Sequence, residues 1–206
     1  MEIKGRKLKE KQERYNAILE ASEKIMQADG LYGLNMDLVA KETQLAKGTL
    51  YLYFKNKEEI LAALSLKSRN LLFEAFAKSI KKSKTPIEQL KAIILANYQF
   101  FKKYPLYFEL VSLYEINNKL TETEELQQSS YKISQMVVEI AQKAKDNKTL
   151  NPNIDPVNFS ICLWGMTVGM IQLIKVRGAI IKQYQGISEK EILSSFVAIV
   201  ENGIRD

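Results

Sequence analysis

The sequence predicts an all-α protein of about nine helices, because apolar residues recur at helical spacing along most of the chain. Glycine and proline are scarce, at 9 and 4 of 206 residues, which disfavours a turn-rich β fold. No stretch shows the strict alternation of a half-buried strand. A composition of 46% hydrophobic and 26% charged residues is that of a globular chain with a real core.

Capping residues mark where the helices begin. A first helix carries a buried stripe through Ile18 and Ile25 and is broken at Gly30. Asn35 predicts the N-cap of a short helix over about 36–43, with Leu34 and Val39 placed for a hydrophobic staple. Further starts are predicted at Asn56 with Glu59, Thr85-Pro86 with Glu88, Tyr104-Pro105, Asp155-Pro156, and Ser188 with Glu191.

The residue types exclude much enzymatic chemistry. Histidine is absent, which removes Ser-His and Cys-His catalysis and most zinc sites. The single cysteine, Cys162, cannot form an intrachain disulfide, and we expect it to be a buried thiol within an apolar run. We therefore expect no catalytic residue, no metal and no cofactor, and an enzyme ranks last among the functions considered.

Charge and hydropathy bear on location and partners. The net charge of +6 suits an anionic partner without identifying it. Residues 1–14 are basic on balance, and both a solvated terminus and a phosphate-contacting arm fit them. They have no apolar signal-peptide core, and the apolar run near 159–174 is predicted to be a buried helix rather than a membrane span. We expect a cytoplasmic protein with no membrane partner.

The stretch LAKGTLYLYF, residues 45–54, raises the question of function. Two short helices joined by a tight turn, after a longer helix, describe a helix-turn-helix unit. If Leu45, Leu50 and Phe54 pack inward, the outward residues are those that contact phosphates and base edges. These outward residues are Lys47, Gly48, Thr49, Leu52 and Tyr53.

The same residues resemble a known family. The stretch GLYGLNMDLVAKETQLAKGTLYLYFKNKEEILAAL, with the helix before it, resembles the N-terminal domain of TetR-family transcriptional regulators. The resemblance covers about residues 10–65. Over the rest of the chain it extends only to length, helical character and a long penultimate apolar helix.

The resemblance implies roles for particular residues in binding double-stranded DNA. Lys47, Gly48, Thr49 and Leu52 fall at positions that approach base edges in the major groove. The positions of Tyr51, Tyr53 and Lys57 typically hold phosphates, and Asn35 would add a contact at the start of the second helix. Half-buried packing for either tyrosine, a core position for Leu52 and an ordinary surface position for Lys57 remain alternatives.

Two residues depart from the family pattern. Gln44 stands where the turn usually has glycine, and Ala46 stands where a serine or threonine usually caps the recognition helix. Loss of that cap oxygen costs roughly 1 kcal/mol. These departures support the alternative of a helical small-molecule-binding protein whose helix-turn-helix no longer binds DNA.

The second half of the chain is expected to dimerise and to bind a ligand. The segment ICLWGMTVGMIQLI is apolar on every face, and Gly165 and Gly169 would allow close helix approach, either to a second copy or within the chain. A helix-turn-helix protein usually reads two half-sites of an inverted repeat as a two-fold dimer. The resemblance likewise implies that the last two helices form a homodimer surface.

The middle helices are rich in aromatic residues. The resemblance implies that such helices enclose a cavity for a small apolar effector, and ordinary core packing is the alternative for each residue. The candidate lining residues are Tyr98, Phe101, Tyr104, Tyr107, Phe108, Tyr114, Trp164, Met166 and Met170. The sequence thus predicts a DNA-binding domain over 1–56 and a ligand-binding and dimerisation domain over 57–206, together a homodimeric repressor released from its operator by ligand.

Overall fold

A computed structural model describes residues 2–116, 120 and 122–205, with side chains described from residue 5 onward except at 115 and 116. Within these residues the protein is all-α, as predicted, with nine α-helices and no strand. The helices are α1 (Glu2–Asp29), α2 (Met36–Thr43), α3 (Lys47–Tyr51), α4 (Lys57–Ser79), α5 (Pro86–Lys103), α6 (Pro105–Ile116), α7 (Glu124–Asp146), α8 (Pro156–Gln185) and α9 (Glu189–Ile204).

The chain folds into two compact units. The first unit comprises Met1–Ser68 with Leu106–Leu126, and so contains α1 to α3, the first half of α4, and α6. The second unit comprises Arg69–Pro105 with Gln127–Asp206, and so contains the rest of α4 with α5, α7, α8 and α9.

Caps begin the helices where the sequence predicts them. The side chain of Asn35 accepts a hydrogen bond from the backbone N–H of Leu38 at 2.9 Å and begins α2. Complete capping boxes begin α5 at Thr85 and α9 at Ser188. At α4, Asn56 caps Glu59 as predicted, but the Glu59 carboxylate accepts its hydrogen bond from the backbone of Lys55 instead.

The core of the first unit is built around α1, α2 and α3. Ile18, Val39, Leu50 and Phe54 are buried in one cluster, to which α4 and α6 also contribute. Leu34 and Val39 are both buried in it, as the predicted staple requires. Gly33 follows α1 in a tight 3₁₀ turn, where a Cβ would overlap that of Asp29, so this position requires glycine.

In the second unit, polar contacts join α5 to α9. The Tyr98 hydroxyl donates a hydrogen bond to Glu189 at 2.7 Å, and Lys102 pairs with the same carboxylate at 2.9 Å. Burial, reinforced by the hydrogen bond to Glu189, raises the pKa of Tyr98 to about 12. A second ion pair, between Lys91 and Glu201, joins the same two helices at 2.6 Å.

Helix α8 corrects two expectations. It continues through Gly178 to Gln185 and ends at Gly186, whose φ of +72° is left-handed. By length and composition it could cross a membrane, but this is weak evidence, since the core helices of soluble proteins pass the same test. It is also not wholly buried: only 39% of its most apolar window is buried in the structure, and Cys162 is exposed rather than buried. The apolar residues of α8 lie on more faces than its neighbouring helices cover. The spacing of residues in the sequence could not show which of these faces would be buried.

Gln44 is strained in the turn between α2 and α3. Its φ of 54° and ψ of 26° place it in the left-handed region, which costs an L-residue about 1–2 kcal/mol. We expect Gln44→Gly to raise the free energy of unfolding by about 0.5–1 kcal/mol, the relief of strain less the entropy of glycine. Urea denaturation of the full chain measures this. Glu42→Gly, within α2, is the matched control and should lower stability; equal effects would contradict the strain.

The raised pKa of Tyr98 predicts a stability change at high pH. Because the folded-state pKa lies near 12 and the ordinary value is 10, stability is fully present below pH 10 and is lost as pH rises towards 12. We expect the wild type to lose more stability over this interval than Tyr98→Phe, as measured by urea denaturation at each pH. Tyr184→Phe, at a position 78% exposed, is the control and should follow the wild type.

Candidate nucleic-acid interface

The helix-turn-helix exposes one face of α3. This helix has five residues, too few to be stable alone, and the burial of Leu50 and Phe54 holds it in place. The opposite face is open: Lys47 and Gly48 are exposed, Leu52 is 81% exposed and Tyr51 is 49% exposed. The side chains predicted to face outward from Lys47 to Leu52 therefore do so, except that Thr49 is half-buried.

Tyr53 differs from its predicted outward orientation. It is half-buried and packs against the core cluster of the first unit. The chain turns after α3, so the alternation of Tyr51 and Tyr53 in sequence places the two rings in different environments. Packing was the alternative that the sequence left open for this residue.

Lys47 is held by an acidic neighbour that the sequence reasoning missed. Its Nζ lies 2.8 Å from Oδ1 of Asp37 in the first turn of α2. This hydrogen bond, with the charge of Asp37, raises the pKa of Lys47. Both side chains are largely exposed, so the pair is open to exchange with water or an anion. An aspartate in the first turn of a helix is so common that its sequence position carried no special signal.

The remaining predicted contacts flank α3. Asn35 is exposed, but its side-chain oxygen already caps α2, which leaves the first backbone N–H groups of that helix for an outside acceptor. Lys57 begins α4 with an exposed side chain. As expected, Ala46 stands at the N-cap of α3 without a side-chain hydrogen bond.

The candidate ligand residues are divided between the two units. Tyr107, Phe108 and Tyr114 belong to the first unit, and the other six belong to the second. Phe108 is fully buried, and Tyr114 packs against the core of the first unit. The Tyr107 hydroxyl donates a hydrogen bond to Glu23 of α1 at 2.9 Å, so this side chain joins α6 to the helix-turn-helix unit.

Within the second unit the aromatic residues differ in exposure. Tyr98 and Phe101 are buried with their rings 6.2 Å apart. Tyr104 and Trp164 are half-buried, as is Met170. Met166, by contrast, is 45% exposed on α8. This unit has two surface pockets that are lined by other residues. One, of about 330 Å³, is lined mainly by α5 and α7, and the other, of about 550 Å³, is lined mainly by α4 and α7.

Asn97 is a buried polar residue that the sequence reasoning also missed. It is 1% exposed on α5, and among the described residues its Oδ1 has no hydrogen-bond partner. A buried unpaired amide oxygen costs about 1–3 kcal/mol. The available signal was an amide within the apolar stripe formed by Ile93, Ile94 and Phe101.

Comparison with known proteins gives a family match over part of the chain. The family described as bacterial regulatory proteins, tetR family, matches residues 18–64, which cover the C-terminal half of α1 through the first third of α4. The chain is 33% identical over 87 residues to the fatty acid metabolism regulator protein of Bacillus subtilis, covering 42% of this chain and 45% of that protein. An HTH-type transcriptional regulator of Haemophilus influenzae is 31% identical over 98 residues, covering 48% and 52%. The chain thus matches about half the length of these curated relatives.

Solved structures share the fold over nearly the whole chain. The fatty acid degradation regulator FadR from Bacillus halodurans gives a TM-score of 0.71 at 15% identity, covering 91% of this chain and 94% of its own. AibR in complex with isovaleryl coenzyme A and operator DNA gives 0.67 at 21% identity, covering 90% and 97%. Residues 18–64 thus match the TetR family of bacterial regulatory proteins, and nearly the whole chain has the fold of these solved structures.

Proposed function

We propose that this chain is a DNA-binding transcriptional regulator that uses α3 to read the major groove. The observation that carries the proposal is the exposed face of α3. This short helix is held in place by its buried face, and its other face presents a lysine, a tyrosine and an apolar side chain to the solvent. The TetR-family match over residues 18–64 and the operator DNA bound by AibR support it. We also propose that residues 1–56 form the DNA-binding domain, that residues 57–206 form the ligand-binding and dimerisation domain, and that the protein is cytoplasmic.

Each candidate residue has a role in this proposal. Lys47, Gly48, Thr49 and Leu52 approach base edges. Because the ion pair between Lys47 and Asp37 is exposed, Lys47 can leave Asp37 for the DNA at small cost. Tyr51, Tyr53, Lys57 and the start of α2 at Asn35 contact phosphates, and the partly buried ring of Tyr53 would offer only its hydroxyl.

A continuous apolar stripe on α8 supports a homodimer. Its residues recur at spacings of three and four, share one exposed face of the helix, and include two glycines whose Cβ positions meet no atom within 4 Å. Such a face is typical of a helix that packs against a second copy. The stripe comprises Cys162, Gly165, Met166, Gly169, Leu173, Val176, Ile180 and Tyr184.

A small apolar effector would act on the second unit. Phe101 and Trp164 offer aromatic surface there, and the unpaired oxygen of Asn97 would accept a hydrogen bond from the effector. Acyl thioesters are the first class to test, because AibR binds isovaleryl coenzyme A and the B. subtilis relative is named for fatty acid metabolism. Repression with release by ligand follows if the effector favours a dimer that no longer fits the operator.

One residue supports a connection between effector and DNA. Tyr107 lies in the first turn of α6, the helix that follows α5 in the chain. Its hydroxyl donates a hydrogen bond to Glu23, which also pairs with Lys67 of α4 at 2.7 Å. A displacement of α6 would therefore act on α1 and α4 of the helix-turn-helix unit. The alternative function, ligand binding without DNA binding, draws support from the strained Gln44 and the uncapped α3.

Selection of bound duplexes from a random DNA pool tests the proposed function. We expect recovery of an inverted repeat with half-sites about 34 Å apart. On that site, Lys57→Ala should weaken binding to all sequences alike and flatten the log–log salt dependence by about one unit, since phosphates carry no sequence information. Leu52→Ala should instead change which bases are preferred. If the folded protein enriches no sequence at physiological salt, the result favours the alternative of ligand binding without DNA binding.

The homodimer is tested by a charge placed in the α8 stripe. Val176 is 71% exposed, so Val176→Glu should leave the monomer folded while desolvation of the new carboxylate opposes association. Sedimentation equilibrium should then report a weakened or absent dimer. Tyr131→Glu, at an exposed residue of α7, is the matched control and should remain dimeric. A wild-type protein that sediments as a monomer at all concentrations would exclude the dimer.

The effector class is tested by release of bound operator. We expect a saturated acyl coenzyme A to reduce DNA affinity at least tenfold, with coenzyme A alone inactive, as measured by fluorescence anisotropy. Asn97→Leu, nearly equal in size, should raise the concentration required while leaving DNA affinity without effector unchanged. The same change at an exposed position, Asn70→Leu, serves as the control; equal responses in both variants would exclude Asn97 as an effector contact.

A further inference from the structure

The N-terminal part of α1 extends as a helix beyond the core. The segment of residues 5–14, the basic arm, is exposed at every position and holds five basic residues and two acidic ones. It is continuous with α1, whose packing begins at Tyr15. A helix rises 1.5 Å per residue, so the arm reaches about 12 Å from Tyr15 to Lys7.

The charges of the basic arm are segregated. Arg6 pairs with Glu10 at 3.0 Å, and Lys9 lies 3.9 Å from Glu13. Lys7, Lys11 and Arg14 form no hydrogen bond or ion pair with any part of the chain that the structure describes.

The three free cations share one face of the helix. Lys7, Lys11 and Arg14 stand at i, i+4 and i+7, and Ile18 at i+11 continues the same face into the core. The two ion pairs lie along one flank of this face. The free charges therefore lie on the side of α1 that packs on the helix-turn-helix.

The basic arm begins beside the end of α3. The ring of Tyr15 stacks on that of Phe54 with centroids 5.0 Å apart, and Phe54 follows α3 by three residues. Lys55 and Lys57, both exposed, come next in the chain. Free cations thus continue from the flank of α3 along the arm.

We propose that the basic arm is a second DNA-contact surface, which binds the phosphate backbone beside the groove entered by α3 through Lys7, Lys11 and Arg14. This inference rests on the proposed function. A row of unpaired cations suits a row of phosphates. Contacts to phosphates add affinity and position the protein on the duplex, but they do not distinguish one DNA sequence from another. The arm therefore raises affinity for every duplex that extends past the core site.

The test compares two full-length triple variants with the same net charge. Lys7→Gln/Lys11→Gln/Arg14→Gln removes the free cations, whereas Arg6→Gln/Lys9→Gln/Lys24→Gln removes three cations that are paired with glutamates on α1 and α2. Glutamine keeps the helix propensity of lysine and arginine, and circular dichroism confirms the fold. Affinity is measured against salt on the selected duplex, on that duplex lengthened by five base pairs at each end, and on random DNA.

We expect the first variant to flatten the salt dependence by about two to three units and the control by less than one. The wild type should gain affinity from the lengthened ends, and the first variant should not. Its losses on selected and random duplexes should be equal. Binding of both variants to phosphatidylglycerol vesicles is measured as well. The arm proposal is overturned, while the proposed function stands, if both variants bind DNA alike or if the first variant loses only its binding to the vesicles. A wild type that binds no duplex overturns the proposed function first.

Discussion

Burial of Leu50 and Phe54 is the constraint on which the candidate interface depends. Helix α3 has only five residues, lacks a side-chain cap at Ala46 and follows a strained residue at Gln44, so its own backbone contributes little to its stability. The apolar cluster of α1, α2, α4 and α6 supplies what α3 lacks. Because the cluster takes one face, the opposite face carries Lys47, Tyr51 and Leu52 to the surface.

Helix α8 divides its apolar residues between two faces in a comparable way. Leu163, Ile171 and Ile174 are buried within the chain, while the stripe through Met166 and Val176 is exposed. The apolar residues of α8 thus lie on more faces than the second unit covers. The proposed dimer and the proposed arm thus use surfaces that the core of a single chain does not need.

Local signals predicted the helices well because they act over a few residues. Asn35, Thr85, Asp155 and Ser188 each cap the helix that the sequence assigned to them, since a cap depends only on the next three residues. The candidate sites were harder to predict. The partner of Lys47, the half-buried position of Tyr53 and the unpaired oxygen of Asn97 depend on which elements pack together, and no periodicity encodes that.

The sequence by itself determined the all-α class, most helix boundaries, the helix-turn-helix and its resemblance to a known family, because spacing, caps and motif are written in adjacent residues. Only the tertiary structure decided how similar residues are used. Tyr98 pairs with Glu189, Tyr107 with Glu23, and Met166 lies in an exposed stripe, although the sequence assigned all three to one cavity. The physical reason is that burial and hydrogen-bond partners come from residues distant in the chain, and their positions are fixed only when the helices pack.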